Sequence, residues 1–127
     1  MMSPSMWKKS VMFSYNIVCT SIGRETLPRL IDSFINQLSE NDFFTIISDI
    51  NHDFVESVLS NYDFKFKVKH IKNSDERKGK YGHPLINENL NTLEGDFIMF
   101  ADDDDRYTEN AFKVIKETVK EKNKLYV

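Results

Sequence analysis

Asp96-Phe97-Ile98-Met99-Phe100-Ala101-Asp102-Asp103-Asp104-Asp105 carries an apolar run, from Phe97 to Ala101, that passes without a break into four carboxylates. An unbroken apolar run of this length, bounded by polar residues, reads as a strand buried on both faces. Four adjacent carboxylates repel one another and cost stability if left unpaired. Directly after a buried strand they are held on a short rigid turn. Hard oxygen donors gathered at one point suit Mg²⁺ or Mn²⁺, which bind through one or two carboxylates together with substrate phosphates. A solvated acidic turn leading into the next helix is the competing reading, and the position after a buried strand favours metal.

Outward from this strand the elements alternate. Downstream, Thr108 is expected to cap a helix with Ala111, Phe112, Ile115 and Val119 inward, and Leu125–Val127 to begin a fifth strand. Upstream, a helix is expected through Leu85, Ile86, Asn89, Leu90 and Leu93, with Pro84 in its opening turn. Phe64–Ile71 alternates Phe64, Phe66 and Val68 with Lys65, Lys67 and Lys69, the period of a strand with one wet face. Lysines on such a strand protect an exposed sheet edge, so this third strand is placed at the edge. Phe43–Ser48 and Tyr15–Thr20 are apolar runs that read as interior strands. Between them, Leu27, Leu30, Ile31, Phe34, Ile35 and Leu38 recur at helical spacing. Asp53 and Glu56 form a capping-box pattern for a short helix. Strand and helix in alternation predict an α/β fold, a mostly parallel open sheet flanked by helices.

The chain has 127 residues, 40% of them hydrophobic and 13% aromatic, enough for one domain with a real core. Residues 1–14 read as a leader and 15–127 as the domain. A net charge of −3 gives no field that favours nucleic acid. The single cysteine, Cys19, excludes an internal disulfide framework and fits a reducing compartment. No apolar window reaches the roughly 18 residues of a membrane helix. A cytoplasmic protein is therefore expected, with a peripheral membrane contact through Trp7, Met12 and Phe13 left open beside their packing on the domain.

Ligands in open α/β sheets sit beyond the carboxyl ends of the strands. After the first strand, Thr20, Ser21 and Arg24 bring hydroxyl, backbone and guanidinium groups to that rim. Arg24 either pairs with phosphate or decorates the helix start. After the second stands Asp49, able to accept hydrogen bonds from a nucleobase or ribose, or to form an ordinary Asx turn. Glu76-Arg77-Lys78-Gly79-Lys80-Tyr81-Gly82-His83 is basic and precedes a helix N-terminus, a natural phosphate site as well as a plausible solvated loop.

Together these residues resemble the GT-A glycosyltransferases, glycosyltransferase family 2 above all, over Tyr15 to Phe112. The resemblance rests on Asn16-Ile17-Val18-Cys19-Thr20, on Ile46-Ile47-Ser48-Asp49 with Asp53, and on Gly95–Asp105 followed by Tyr107. It implies a strand order of third, second, first, fourth. It implies further that Asp49 recognises the nucleobase, that Asp102 faces ribose or metal, and that Asp104 ligates the ion. Donor contacts are expected from Thr20, Ser21, Arg24, Asp49, Arg77, Lys80, Asp102 and Asp103, and metal ligation of Mn²⁺ or Mg²⁺ from Asp104 and Asp102. Where many relatives carry Arg-Asn before the fourth strand, this chain has Ile86-Asn87, which removes one diphosphate contact that Arg77, Lys78 or Lys80 would replace. The expected function is transfer of a sugar from a nucleotide-diphosphate sugar to an acceptor hydroxyl on a glycan, lipid or protein. The chain ends about where the family's acceptor-binding half begins, so no residue is assigned as general base. That half would come from a partner chain, a homo-oligomer or residues removed by truncation. A non-catalytic nucleotide-sugar-binding module is the alternative.

Overall fold

A computed structural model describes residues 13–74, 77 and 83–118. Val119, Lys80 and the expected final strand Leu125–Val127 lie outside them, as does the leader apart from Phe13 and Ser14. The elements are β1 (Tyr15–Ser21), α1 (Leu27–Phe34), β2 (Phe43–Ser48), α2 (His52–Ser60), β3 (Lys67–Lys72), α3 (His83–Asn89), β4 (Phe97–Asp102) and α4 (Ala111–Thr118). A 3₁₀ turn, Leu90–Thr92, follows α3. The four strands form one sheet in the order β3-β2-β1-β4, every pair parallel. This is the order the resemblance implied.

Every residue of β1 is buried, as its central place requires. On one face Ile17, Cys19, Phe44 and Ile46 meet Leu30, Ile31 and Phe34 of α1, Val55 of α2 and Phe112 of α4. On the other face Val18 and Ile47 meet Leu85 of α3, with Ile71, Leu93 and Ile98 packed around them. Sheet residues of opposite parity thus serve two cores, which is why the central strands read as unbroken apolar runs. β3 keeps Lys67, Lys69 and Lys72 exposed and lies at the sheet edge.

Several boundaries differ from expectation for physical reasons. β3 begins at Lys67 rather than Phe64 because its partner begins at Phe43, directly opposite Lys67. Phe64 and Phe66 still stack into an aromatic row with Phe44, Phe34 and Tyr62. α1 ends at Phe34, and Leu38 reaches the core from the following turn. Asp53 does not cap α2. The N-cap is Asn51 in a left-handed conformation (φ 55°), which asparagine tolerates better than most residues. Glu56 pairs instead with His70 and Lys72. Leu90, expected inside, is 45% exposed because α3 stops at Asn89. Thr108 meets α4 only through its carbonyl, which accepts from Ala111 N–H at 3.1 Å. No helix among the described residues is long and apolar enough to cross a membrane.

The fully buried carboxylate of Asp42 ties the amino ends of the strands together. It accepts from Tyr15 N–H (2.9 Å) and Ser39 N–H (2.8 Å) and pairs with Lys116 Nζ (2.9 Å). Asp42→Ala strands one buried and one part-buried N–H donor and a part-buried ammonium, and is expected to cost about 3 kcal/mol in urea unfolding. A loss below about 1 kcal/mol would show that the tie is replaced by water.

Candidate functional site

The carboxyl ends of the strands finish nearly level: Ser21 lies opposite Ser48, Ser48 opposite Lys72, and Thr20 opposite Asp102. Beyond Asp102 the chain closes a tight turn. Asp105 N–H donates to Asp102 O at 3.0 Å, and Asp102 N–H to Asp105 Oδ2 at 2.8 Å. The turn gathers the carboxylates of Asp102, Asp104 and Asp105, one oxygen of each within 4.8 Å of the others and all three residues exposed. Asp103 points the other way, as side-chain alternation out of a strand dictates. Its carboxylate is 4% exposed and accepts from Ser21 Oγ (2.9 Å) and Ile22 N–H (3.1 Å). Arg24 Nε lies 3.4 Å from the second oxygen, and Thr26 Oγ1 donates to the Asp103 carbonyl at 2.9 Å.

Burial and then the neighbouring charges of Asp105, Asp104 and Asp103 push the Asp102 carboxyl above its ordinary range, with Arg24 opposing them. Arg24 also reaches Asp104 (3.2 Å), but this pair is half-exposed and does not neutralise the cluster. Three converging carboxylates are a donor set of the kind that suits a hard divalent ion. Such an ion would turn their mutual repulsion into attraction.

The cluster stands at the mouth of a cleft of about 540 Å³ between α3 and β4, lined by Thr20, Ile86, Asn87, Phe100, Asp102 and Asp105 among others. Thr20 and Asn87 thus face the same space as two of the acids. Asp49 lies on the same rim, two strands from Asp102 and 4% exposed. Its N–H donates to Ser21 O at 2.8 Å, and its Oδ1 accepts from Asn73 Nδ2 at 2.9 Å. Ser21 is therefore a hub: its carbonyl holds the Asp49 segment, and its hydroxyl holds Asp103 and accepts from Gly23 N–H at 3.0 Å. Gly23 has φ 78°, and a Cβ there would come within 2.6 Å of Asn51 Cβ, so only glycine fits this close approach. Arg77 is exposed in the connection between β3 and α3. Lys80 lies outside the described residues.

A sequence model of glycosyl transferase family 2 matches residues 12–127. The chain belongs to glycosyltransferase family 2. Among solved structures, the crystal structure of Staphylococcus aureus TarS 1–349 superposes with a TM-score of 0.68 at 21% identity, over 82% of this chain and 31% of that one. The same fragment in complex with UDP-GlcNAc gives 0.67 at 23% identity, over 82% and 30%. In complex with UDP it gives 0.66 at 20% identity, over 82% and 31%. At these identities the likeness is one of fold, and this chain spans less than a third of the TarS fragment. No curated protein matches it.

For this family 2 domain the acidic run was visible in the sequence, but its division was not. The resemblance selected Asp102 and Asp104, and the turn adds Asp105. Asn73 and Thr26 carried no signal at all, because each is brought in by strand register or loop closure. The division has a thermodynamic signature. Asp103→Ala leaves Ser21 Oγ and Ile22 N–H without their acceptor and Arg24 with Asp104 alone, and is expected to cost about 2 kcal/mol of stability in urea unfolding. Asp104→Ala, removing one exposed charge from a repelling cluster, is expected to stay within about 0.5 kcal/mol of the parent. Equal losses would mean that the two carboxylates share one role.

Proposed function

We propose that this domain is the donor-binding half of a metal-dependent glycosyltransferase that uses a nucleotide-diphosphate sugar. The convergence of Asp102, Asp104 and Asp105 at the mouth of the Thr20–Asn87 cleft carries the reading. The TarS complexes with UDP-GlcNAc and UDP support a uridine diphosphate sugar as the donor to test first.

Mn²⁺ or Mg²⁺ held by these carboxylates would supply Lewis acidity to a diphosphate leaving group. In this reading the chain's own groups bind and orient. Asp49, fixed by Asn73, turns a carboxylate toward the N–H groups of the base. Thr20 and Asn87 line the path between base and phosphates, and Arg24 and Arg77 contribute positive charge near the diphosphate. Asp103 acts from behind, holding the loop after β1 against the metal-binding turn. Deprotonation of an acceptor hydroxyl by a carboxylate would complete the transfer.

Calorimetric titration of UDP-, GDP- and dTDP-sugars with and without Mn²⁺ tests this proposal. One nucleotide class is expected to bind at least about tenfold more tightly with Mn²⁺, a difference of about 1.4 kcal/mol, and Asp104→Ala is expected to abolish the gain. Absence of binding under every condition would overturn the reading for this domain.

A further inference from the structure

The acidic turn already holds a cation of the chain's own. Arg24, in the loop between β1 and α1, lays its guanidinium across two of the four carboxylates. Its Nε lies 3.4 Å from Asp103 Oδ1, and its Nη1 lies 3.2 Å from Asp104 Oδ2. The two contacts differ in kind. The Asp103 side chain is buried and is held besides by Ser21 Oγ and Ile22 N–H, so it stays where it is. The Asp104 side chain is 48% exposed and that of Arg24 49%, and an ion pair so open to water shifts a population only a few-fold. The guanidinium is therefore anchored at its inner nitrogen and loosely attached at its outer one. Arg29 offers a contrast. Its Nη2 donates to the Asp104 carbonyl at 2.7 Å, so it holds the backbone of the turn rather than the carboxylate.

Asp104 is also one of the three residues whose carboxylate oxygens converge. A divalent ion sharing that carboxylate with Arg24 would set a double and a single positive charge on the oxygens of one group. Their repulsion weakens binding several-fold even at the dielectric of water. Ion and guanidinium therefore compete for Asp104. A displaced guanidinium remains tethered by Nε to Asp103, and its planar fork of donors suits phosphate oxygens.

We propose that Arg24 exchanges partners as the site loads: its outer nitrogen holds Asp104 until a divalent ion takes that carboxylate, and then passes to a diphosphate oxygen of the donor while its inner nitrogen stays on Asp103. The exchange rests on the donor reading given above. Its consequence is cooperativity. Ion and nucleotide each favour the state in which Arg24 has left Asp104, so each raises the affinity of the other, and linkage makes the factor the same in both directions. The turn thereby takes up an ion poorly by itself and well in the company of a nucleotide.

Calorimetry of the full chain tests the exchange in the parent, in Arg24→Gln and in Arg29→Gln. Each protein is titrated with Mn²⁺ alone, with UDP, GDP and dTDP alone, and with each nucleotide at saturating Mn²⁺. Association of Mn²⁺ with nucleotide in solution is common to the three proteins and cancels between them. Arg24→Gln is expected to bind Mn²⁺ alone about threefold more tightly than the parent. Its coupling between ion and nucleotide is expected to be about threefold smaller, the factor by which a half-exposed ion pair shifts a population. Arg29→Gln, which removes the same charge from the same turn, is expected to keep the parental coupling. A guanidinium that acts by charge alone alters both affinities and leaves their coupling unchanged. That result in Arg24→Gln would overturn the exchange and leave the donor reading standing. Mn²⁺ binding that is no tighter in Arg24→Gln, or an equal fall of coupling in Arg29→Gln, would do the same. A parent that binds none of the nucleotides would overturn the donor reading and the exchange together.

Discussion

The buried carboxylate of Asp103 is the contact on which the rim depends. It is the sole member of the acidic run that turns inward, and it closes the loop after β1 onto the turn after β4 through Ser21, Ile22 and Arg24. Beside it, Thr26 Oγ1 donates to the Asp103 carbonyl and Arg29 Nη2 to the Asp104 carbonyl, so the turn that carries the other three acids is held from behind. Through Ser21 the same contact extends to Asp49, since the Ser21 carbonyl accepts from the Asp49 N–H. Three loops following three parallel strands are thereby joined by short hydrogen bonds rather than by apolar packing. A ligand site needs this, because apolar packing at the rim would fill the cleft.

The level ending of the strands makes such joining possible. In a parallel sheet whose strands start in register, as Phe43 does with Asn16 and Lys67, residues at equal distance along each strand finish side by side. Ser21, Ser48 and Lys72 share one row, with Asp102 opposite Thr20 one step back. Register at one end of the sheet, reinforced there by Asp42 and by the hydrogen bonds of Ser14 with Asp96, thus decides which polar groups meet at the other. The cost of an error is large, since a one-residue slip would turn each strand's core face outward.

How far the sequence revealed this follows from how local each signal is. The edge position of β3 was readable because lysine alternation is a property of a single strand, while the sheet order came with the family resemblance. The acidic turn was readable because four carboxylates adjoin in the chain. The start of β3 was misplaced because pairing partners, not propensity, decide where a strand begins, and nothing in Phe64–Phe66 reports where β2 starts. The Asp53 capping pattern misled because a second partner, His70, competes for Glu56 from another strand. The inward turn of Asp103 and the meeting of Ser48 with His70 depend on residues 82 and 22 positions apart respectively, beyond the range of any periodicity.

The two polar clusters of the rim manage charge in opposite ways. At the β4 turn, carboxylates of one sign accumulate, with Arg24 paired to Asp103 and Asp104 and Arg29 donating to the Asp104 carbonyl at 2.7 Å. At the β2–β3 ends, two imidazoles bracket the Ser48 hydroxyl, and Glu56 pairs with both His70 and Lys72, so acid and bases balance locally. Both are tied to Ser21, the first through the Asp103 carboxylate and the second through the Asp49 N–H that follows Ser48. A rim built from apolar contacts could hold its shape equally well but would bring no polar group to the cleft.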